Sequence, residues 1–305
     1  MTAPLAGSAP LIDAHAHFYH AGAGRSDWQA LNDARFRAGD RIGVTYHVAS
    51  VLGSYGFSSP TYFPSPSDVV AGNHAMLEIA AREQSRVRMF VTVNPNYTEH
   101  AIREIDRCVN RGAIGIKLLA SRRADDPLLD PIAEIAAERG LPVLHHVWQH
   151  RRREWPSQEI SDGADLARLA TRHPRAKFIL AHIGGGGDYA HTFPAVVDAP
   201  NVYPDLSGSG VDRGMLDEAV RVLGPQRLLW ACDLTMETGL AKLRALEVIG
   251  LHDGDLADIR WRNAVRIFPP GSFPLAVENA SLAEVAARPT QNMPRSTRNA
   301  LRGAQ

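Results

Sequence analysis

His15 and His17 stand two residues apart at the end of the apolar run LIDAHAHFYH. Alternation along a strand sends residues i and i+2 to the same face, about 7 Å apart along the chain. Two imidazoles facing one way at a strand end are candidate metal ligands. Further candidates follow: Lys117 in AIGIKLL, the pair His145–His146 in LPVLHHV, His182 in KFILAHI just ahead of glycines 184–187, and Asp233 at the end of RLLWACD. Imidazole nitrogens with one carboxylate oxygen make a ligand set for a borderline divalent ion such as zinc. Each residue also has an ordinary reading: a packed core histidine, a lysine paired with a carboxylate, a glycine turn, or Asp233 as the N-cap of DLTMETGL. Their common placement at strand ends is what points to a metal site.

Such residues need elements to position them. Eight short apolar runs read as strands: LIDAHAH (11–17), VTYHVASV (44–51), VRMFVTVN (87–94), AIGIKLL (113–119), LPVLHHV (141–147), KFILAHI (177–183), NVYPDLS (201–207) and RLLWACD (227–233). Helical patterns lie between them. SDVVAGNHAMLEIAAREQ opens on a cap signal at Ser67–Asp68, TEHAIREIDRCVNRG runs from Thr98 to Gly112, LDPIAEIAAERG stops at Gly140, and SDGADLARLATRHP runs into Pro174. Alternation of this kind predicts a parallel sheet covered by helices, and eight units in about 250 residues predict an α/β fold, a single-domain (β/α)8 TIM barrel over residues 1–268. An open doubly wound sheet is the alternative. Barrel enzymes carry their chemistry at the C-terminal strand ends, where all the candidates fall. Residues 269–305 form a C-terminal extension: SLAEVAARP offers a short helix with Ser281 and Glu284 at capping-box spacing, and the polar, basic end is expected to be partly disordered.

Composition narrows the partners. The chain has 305 residues, 45% hydrophobic, with 33 basic and 33 acidic side chains. That balance favours neither nucleic acid nor a membrane surface. Two cysteines, Cys108 and Cys232, make no disulfide framework, and the start shows no secretion signal, so a cytoplasmic location is expected. No apolar run approaches the ~18 residues that span a bilayer.

Taken together, IDAHAHF, GIKL, LPVLHH, FILAHIGGGG, NVYPDLS and RLLWACDL resemble the amidohydrolase superfamily, and within it the amidohydrolase-2 group of metal-dependent hydrolases and decarboxylases. The resemblance runs in order over residues 11–268, and RNAVRIF (262–268) is similar to that group's closing helix. It implies that His15, His17, His146 and Asp233 hold one divalent ion, zinc first and manganese as the alternative. It further implies that Asp233 also shuttles a proton, that His182 orients substrate or water, and that Lys117 occupies the place of a lysine carboxylated in some relatives. Strand parity alone does not choose between His145 and His146. The group's Gly-Ser-Asp before the eighth loop is here Ala231-Cys232-Asp233, and alternation turns Cys232 away from Asp233. Dihydroxybenzoate-type decarboxylases often carry Glu at the first position of the histidine pair, and His15 there points towards hydrolysis. A homo-oligomer is implied on the same ground.

A bound divalent ion brings the pKa of water towards ~7. The main expectation is therefore hydrolysis of a small amide, lactone or ester, with Asp233 taking the proton. The alternative is a non-oxidative decarboxylase or C–C lyase acting on an aromatic or enol acid. A non-catalytic binding barrel is the third reading. A small-molecule substrate is expected, with a carboxylated one among the candidates. Tyr55, Phe57, Tyr62 and Phe63 after strand two could build an aromatic wall or simply pack on the barrel. After strand five, Arg151, Arg152 and Arg153 could meet a carboxylate or form a solvated face, and Trp148 and Trp155 could line a pocket or a subunit contact. Arg122 and Arg123 carry the same two readings. Glycines 184–187 lack the further features of a dinucleotide fingerprint.

Overall fold

The structure is a computed structural model that describes residues 9–23, 25–51, 59–60, 62–147, 157–183, 189–208, 214–234 and 236–286. Seven strands run β1 (Ile12–Phe18), β2 (Tyr46–Val51), β3 (Val87–Val93), β4 (Ala113–Leu118), β5 (Pro142–His146), β6 (Lys177–Ala181) and β7 (Val202–Pro204). They pair in parallel in that order, each with its successor in sequence. Residues 228–233 close the ring as the eighth staved segment. Leu206 N–H donates to Leu229 O and Ala14 N–H to Trp230 O, and Asp233 N–H donates to His15 O at 2.7 Å. The expected barrel is therefore present, with its last strand reduced to bridges at Asp205–Leu229 and Ala16–Asp233.

Helices α1 (Trp28–Ile42), α2 (Pro66–Arg82), α3 (Thr98–Val109), α4 (Asp130–Arg139), α5 (Gly163–Arg172), α6 (Tyr189–Val196), α7 (Met215–Leu223) and α8 (Met236–Val248) follow the eight stretches in turn. Their punctuation is mostly as read from sequence. Gly140 ends α4 in the left-handed conformation, and Asp162 caps α5 through a reciprocal bond with Asp165. Two caps differ. Ser65, not Ser67–Asp68, caps α2, because Pro66 takes the first helical position and the Ser65 hydroxyl accepts from Asp68 N–H. Ser281 lies inside a longer helix, not at its start.

The core divides by face. Outward side chains such as Val91, Leu118, Val143, Phe178 and Trp230 pack under the helices. Inward side chains at the N-terminal ends, among them Ile12, Tyr46, Phe90, Ile114, Leu144 and Ile179, fill the barrel floor. The floor is closed from below by the chain that follows α8: α9 (Asp253–Ala257), a π turn at Asp258–Arg262, and α10 (Asn263–Ile267). Phe268 packs 5.7 Å from Phe90, and Phe273 lies 5.5 Å from Tyr46, ring centre to ring centre. The last described helix is α11 (Leu275–Ala286). No described helix is long and apolar enough to cross a membrane.

Candidate metal centre

Two bulges set which residues face the barrel mouth. Between Asp13 and Ala16, β1 carries one residue more than β2, so Ala14 lines the floor while the following His15 also turns inward. A matching slip between Ala113 and Gly115 on β4 leaves both Ile114 and Lys117 on the inner face. The i, i+2 spacing of His15 and His17 survives because the irregularity comes before it. On β5, Leu144 belongs to the floor and Val143 to the outer layer, so His146 faces inward and His145 outward. Parity thus chooses His146 once one neighbour's face is known. His145 Nδ1–H donates to the backbone carbonyl of His146 at 3.1 Å, and burial pushes the His145 pKa down to about 4.

The inward histidines are held by partners on neighbouring strands. His15 Nδ1 lies 2.9 Å from Asp205 Oδ2, a fully buried carboxylate after β7. That carboxylate accepts a hydrogen bond from Nδ1–H, which leaves the Nε2 lone pair facing the mouth. His17 turns Nδ1 to the Ser50 hydroxyl at 3.1 Å, so its Nε2 faces the same space. The two Nε2 atoms are 3.1 Å apart, and Asp233 Oδ1 lies 3.1 Å from His17 Nε2 and 3.8 Å from His15 Nε2. An ion bound tetrahedrally at about 2.1 Å separates its ligands by about 3.4 Å, so these three atoms have the spacing of a metal's ligands. His15, His182 and Asp205 form a second group of donor atoms that could hold an ion, sharing His15 with the first. The donor set therefore fits a divalent metal.

His146 stands outside these tight groups. Its Nδ1 lies 3.1 Å from His182 Nε2, and its ring packs against Tyr62 at 5.3 Å. His182 bridges the two regions: its ring stacks on His15 at 5.2 Å, and its Nδ1 meets Ser207 Oγ at 2.8 Å and Asp233 Oδ2 at 3.5 Å. Lys117 Nζ reaches 2.9 Å from His15 Nε2.

The electrostatics follow from burial. Desolvation pulls His15 and His146 well below the usual imidazole range, and lowers His17 and His182, so all four stand neutral as ligands or proton carriers. Burial would raise the Asp233 carboxyl. Interactions with His182 and His15 and the hydrogen bond from His17, each strongest when a ring carries a proton, outweigh it and place the group well below the usual carboxylate range. Desolvation brings Lys117 down to about 8, partly offset by Asp233 and Asp205. Asp233 keeps 21% of its side chain exposed, the one opening to solvent among these otherwise closed side chains. Beside His17 a cavity of about 270 Å³ extends between α1 and α8, lined by Tyr19, Asn32, Arg35, Leu234 and Met236.

Sequence reasoning missed Asp205, Ser207 and Ser50 as the partners of the ring nitrogens. Asp205 had a signal, a carboxylate at the end of NVYPDLS with a hydroxyl two residues on. Of the aromatic wall, Tyr62 reaches His146 and Phe63 packs on Tyr97 at 6.1 Å. Arg123 is engaged with Asp165 at 2.6 Å, and Arg122 with Asn96 at 2.5 Å. Cys232 faces away from the mouth, against Gly239. Tyr55, Phe57, Trp148, Arg151, Arg152, Arg153, Trp155, glycines 184–187 and the segment 287–305 lie outside the described residues.

A family model described as amidohydrolase matches residues 12–269. The chain belongs to the amidohydrolase-2 family of the amidohydrolase superfamily. Among solved structures it is similar to 5-carboxyvanillate decarboxylase of Sphingomonas paucimobilis, with 20% identity over 86% of this chain and 99% of that one and a TM-score of 0.63. It is similar to 2,6-dihydroxybenzoate decarboxylase from Rhizobium at 17% identity, over 85% of this chain and 98% of that one, with a TM-score of 0.65. A third, dihydroxybenzoic acid decarboxylase from Polaromonas sp. JS666 with bound manganese and 2-nitroresorcinol, shares 20% identity over 85% of this chain and 97% of that one, with a TM-score of 0.63. No curated protein matches the sequence. As an amidohydrolase the chain pairs a barrel fold with a His/Asp divalent-metal site at its mouth.

Proposed function

We propose that this amidohydrolase is a metal-dependent decarboxylase of a small hydroxyaromatic carboxylic acid. The observation that carries C–C cleavage is the set of barrel neighbours, covered over 97–99% of their own lengths, that act on carboxyvanillate and dihydroxybenzoate. This reverses the order read from sequence, which puts hydrolysis first. His15, His17 and Asp233 would hold the ion, with His146 as the further ligand and His182 beside them. Manganese, present in the Polaromonas neighbour, is the first candidate and zinc the second. Bound there, a divalent ion supplies a Lewis-acid anchor for carboxylate and hydroxyl oxygens.

The chain's own groups supply the rest. Asp233, ionised and partly open to solvent, takes the proton of the substrate's hydroxyl and returns it to the ring carbon as carbon dioxide leaves. His182, 3.5 Å from Asp233 and 3.1 Å from His146, orients that carboxylate and braces the His146 ring. Lys117 sets a cation against the negative charge that a carboxylated substrate brings. Tyr62 offers a ring face next to His146, and Tyr55, Trp148 and Arg151 belong to the two rim loops expected to touch the substrate.

Hydrolysis of a lactone, amide or ester is the second reading. One residue favours it: the first position of the histidine pair is His15, where dihydroxybenzoate-type decarboxylases often carry Glu. The test loads the purified protein with Mn²⁺ and offers 2,6-dihydroxybenzoate, 5-carboxyvanillate, and a lactone and ester panel in ¹⁸O-water. Carbon dioxide release that stops on chelation supports decarboxylation. Label in the product without carbon dioxide replaces it with hydrolysis.

A further inference from the structure

The outward face of the seam between β1 and the closing segment 228–233 carries a second buried polar group that the chemistry above does not use. Asp13 is fully buried. Its Oδ1 accepts the backbone N–H of Cys232 at 2.9 Å and of His15 at 3.4 Å. Its Oδ2 accepts from Arg35 Nη2 at 2.6 Å and faces His47 Nδ1 at 3.1 Å. Arg35, on α1 and only 7% exposed, sends its other terminal nitrogen, Nη1, to the backbone carbonyl of Asp233 at 2.5 Å. One ion pair thus grips the site's backbone from behind at three points on two neighbouring staves: His15 by its N–H, Cys232 by its N–H, and Asp233 by its C=O.

The grip falls where the backbone needs it. Asp233 has φ +55°, a left-handed conformation that a residue with a Cβ adopts only when its surroundings impose it. From that conformation its carboxylate meets His17 at 3.1 Å. A strand continued regularly through Asp233 has no reason to place the carboxylate there. Arg35 holds the Asp233 C=O and His15 O takes its N–H at 2.7 Å, so both peptide units that flank its Cα are fixed, and Asp13 anchors the unit before them through Cys232 N–H. A carboxylate–guanidinium pair suits the task, since the planar fork of Arg35 meets the Asp13 carboxylate and a carbonyl at once.

We infer that Asp13 and Arg35 are positioning residues of the metal centre, which act through the backbone of His15, Cys232 and Asp233 to hold the ligand spacing; His47 completes their hydrogen bonding. Neither contributes an atom to the His15, His17 and Asp233 group. The inference rests on the reading that this group holds an ion, and the experiment separates the two.

Mn²⁺ and Zn²⁺ affinities are measured by calorimetric titration of the full chain for wild type, Arg35→Met, Arg35→Lys, Asp13→Asn and Leu77→Ala. Leu77, on the buried face of α2, is the control for general loss of stability. Circular dichroism and thermal unfolding define a temperature at which every variant is folded. Arg35→Met is expected to weaken ion binding about 10–100-fold, the range seen when the partners of ligands are removed. Asp13→Asn is expected to do the same, Arg35→Lys to recover part of the loss, and Leu77→Ala to lower the melting temperature with affinity unchanged. If Arg35→Met does not fold, Asp13→Asn and Arg35→Lys carry the comparison. Wild-type affinity in the folded Arg35 and Asp13 variants, or an equal loss in Leu77→Ala, overturns the inference. A wild-type protein that binds neither ion instead removes the metal reading beneath it.

Discussion

Each stave of this barrel carries two kinds of inward side chain, and the change from one to the other happens within a few residues. On β1 it falls between Ala14 and His15, on β4 between Ile114 and Lys117, on β5 between Leu144 and His146, and on the closing segment between Ala231 and Asp233. Below that level the barrel is filled by Tyr46, Val48, Phe90 and Ile179 and sealed by Trp261 and Phe268. Above it stand four neutral imidazoles, an ammonium and two carboxylates, all buried or nearly so. The floor contributes free energy through packing and asks only for apolar volume. The mouth is costly to bury and is tolerated because its groups satisfy one another and await a cation. The lesson is a division of labour along single strands: the lower half fixes the staves, and the upper half spends that rigidity on ligand spacing.

The mouth should fail first in function. Asp233→Asn removes the carboxylate charge beside His15, His17 and His182 and is expected to lower turnover about 10²–10⁴-fold on whichever substrate the panel identifies. Metal content measured on the same protein should fall with it, while the unfolding transition stays cooperative. Retained metal together with retained turnover would show that the division of labour is misplaced.

The floor should fail in stability alone. Phe90→Ala empties the centre of the aromatic group that meets Phe268 and is expected to cost about 3–5 kcal/mol in urea unfolding. Well below its melting temperature the variant should bind Mn²⁺ as wild type does. A large loss of affinity at that temperature would mean that the floor and the mouth are coupled more tightly than their geometry suggests.

Acid separates the two regions without mutation. His15, His17, His146 and His182 at the mouth, and His47 and His145 behind it, all have folded pKa values below the ordinary 6.5. The unfolded chain then binds more protons than the folded one as pH falls through that value. Stability present above pH 6.5 is lost below it, by up to about 1.4 kcal/mol per pH unit for each histidine. The floor's apolar inward residues include no histidine. Chelated protein should therefore melt at lower temperature at pH 5 than at pH 7, and His146→Leu should flatten that dependence by about one histidine's share. A melting temperature indifferent to pH over this range would remove the neutral-imidazole account of the mouth.

Much of this arrangement was legible in the residues. Strand periods and helix stops located every stave, and His15, His17, Lys117, His182 and Asp233 converge as their strand-end positions implied. What was not legible depends on backbone irregularity and on contacts distant in sequence. The bulges on β1 and β4 change which face a residue occupies, and no alternation rule reveals a bulge in advance. His146 required knowing that Leu144 lines the floor. Asp205 meets His15 across 190 positions of sequence, and Arg35 meets Asp233 across 198, so neither partner shows in any local pattern. Asp205, just past the three-residue β7, and Asp233, at the end of the eighth stave, keep their backbone bridges to Leu229 and Ala16 while their side chains serve the mouth.

The lower boundary of the floor gives the smallest and sharpest test. The family match ends at residue 269, and the sequence places a barrel boundary after Phe268. Yet Phe273 is buried against Tyr46 and Phe268, and Arg88 donates to the carbonyl of Ser272. Residues 270–273 thus pack onto the barrel floor although they lie beyond the family match. Phe273→Leu keeps most of the volume and loses the edge-on ring contact with Tyr46, so about 1 kcal/mol of stability should go. Leu282, 68% exposed on α11, should tolerate Ser within about 0.5 kcal/mol. Urea midpoints of the two variants decide the matter. A cost at Phe273 and none at Leu282 puts the end of the floor between them, whereas equal, negligible effects return it to residue 268 and make the aromatic seal no more than surface packing.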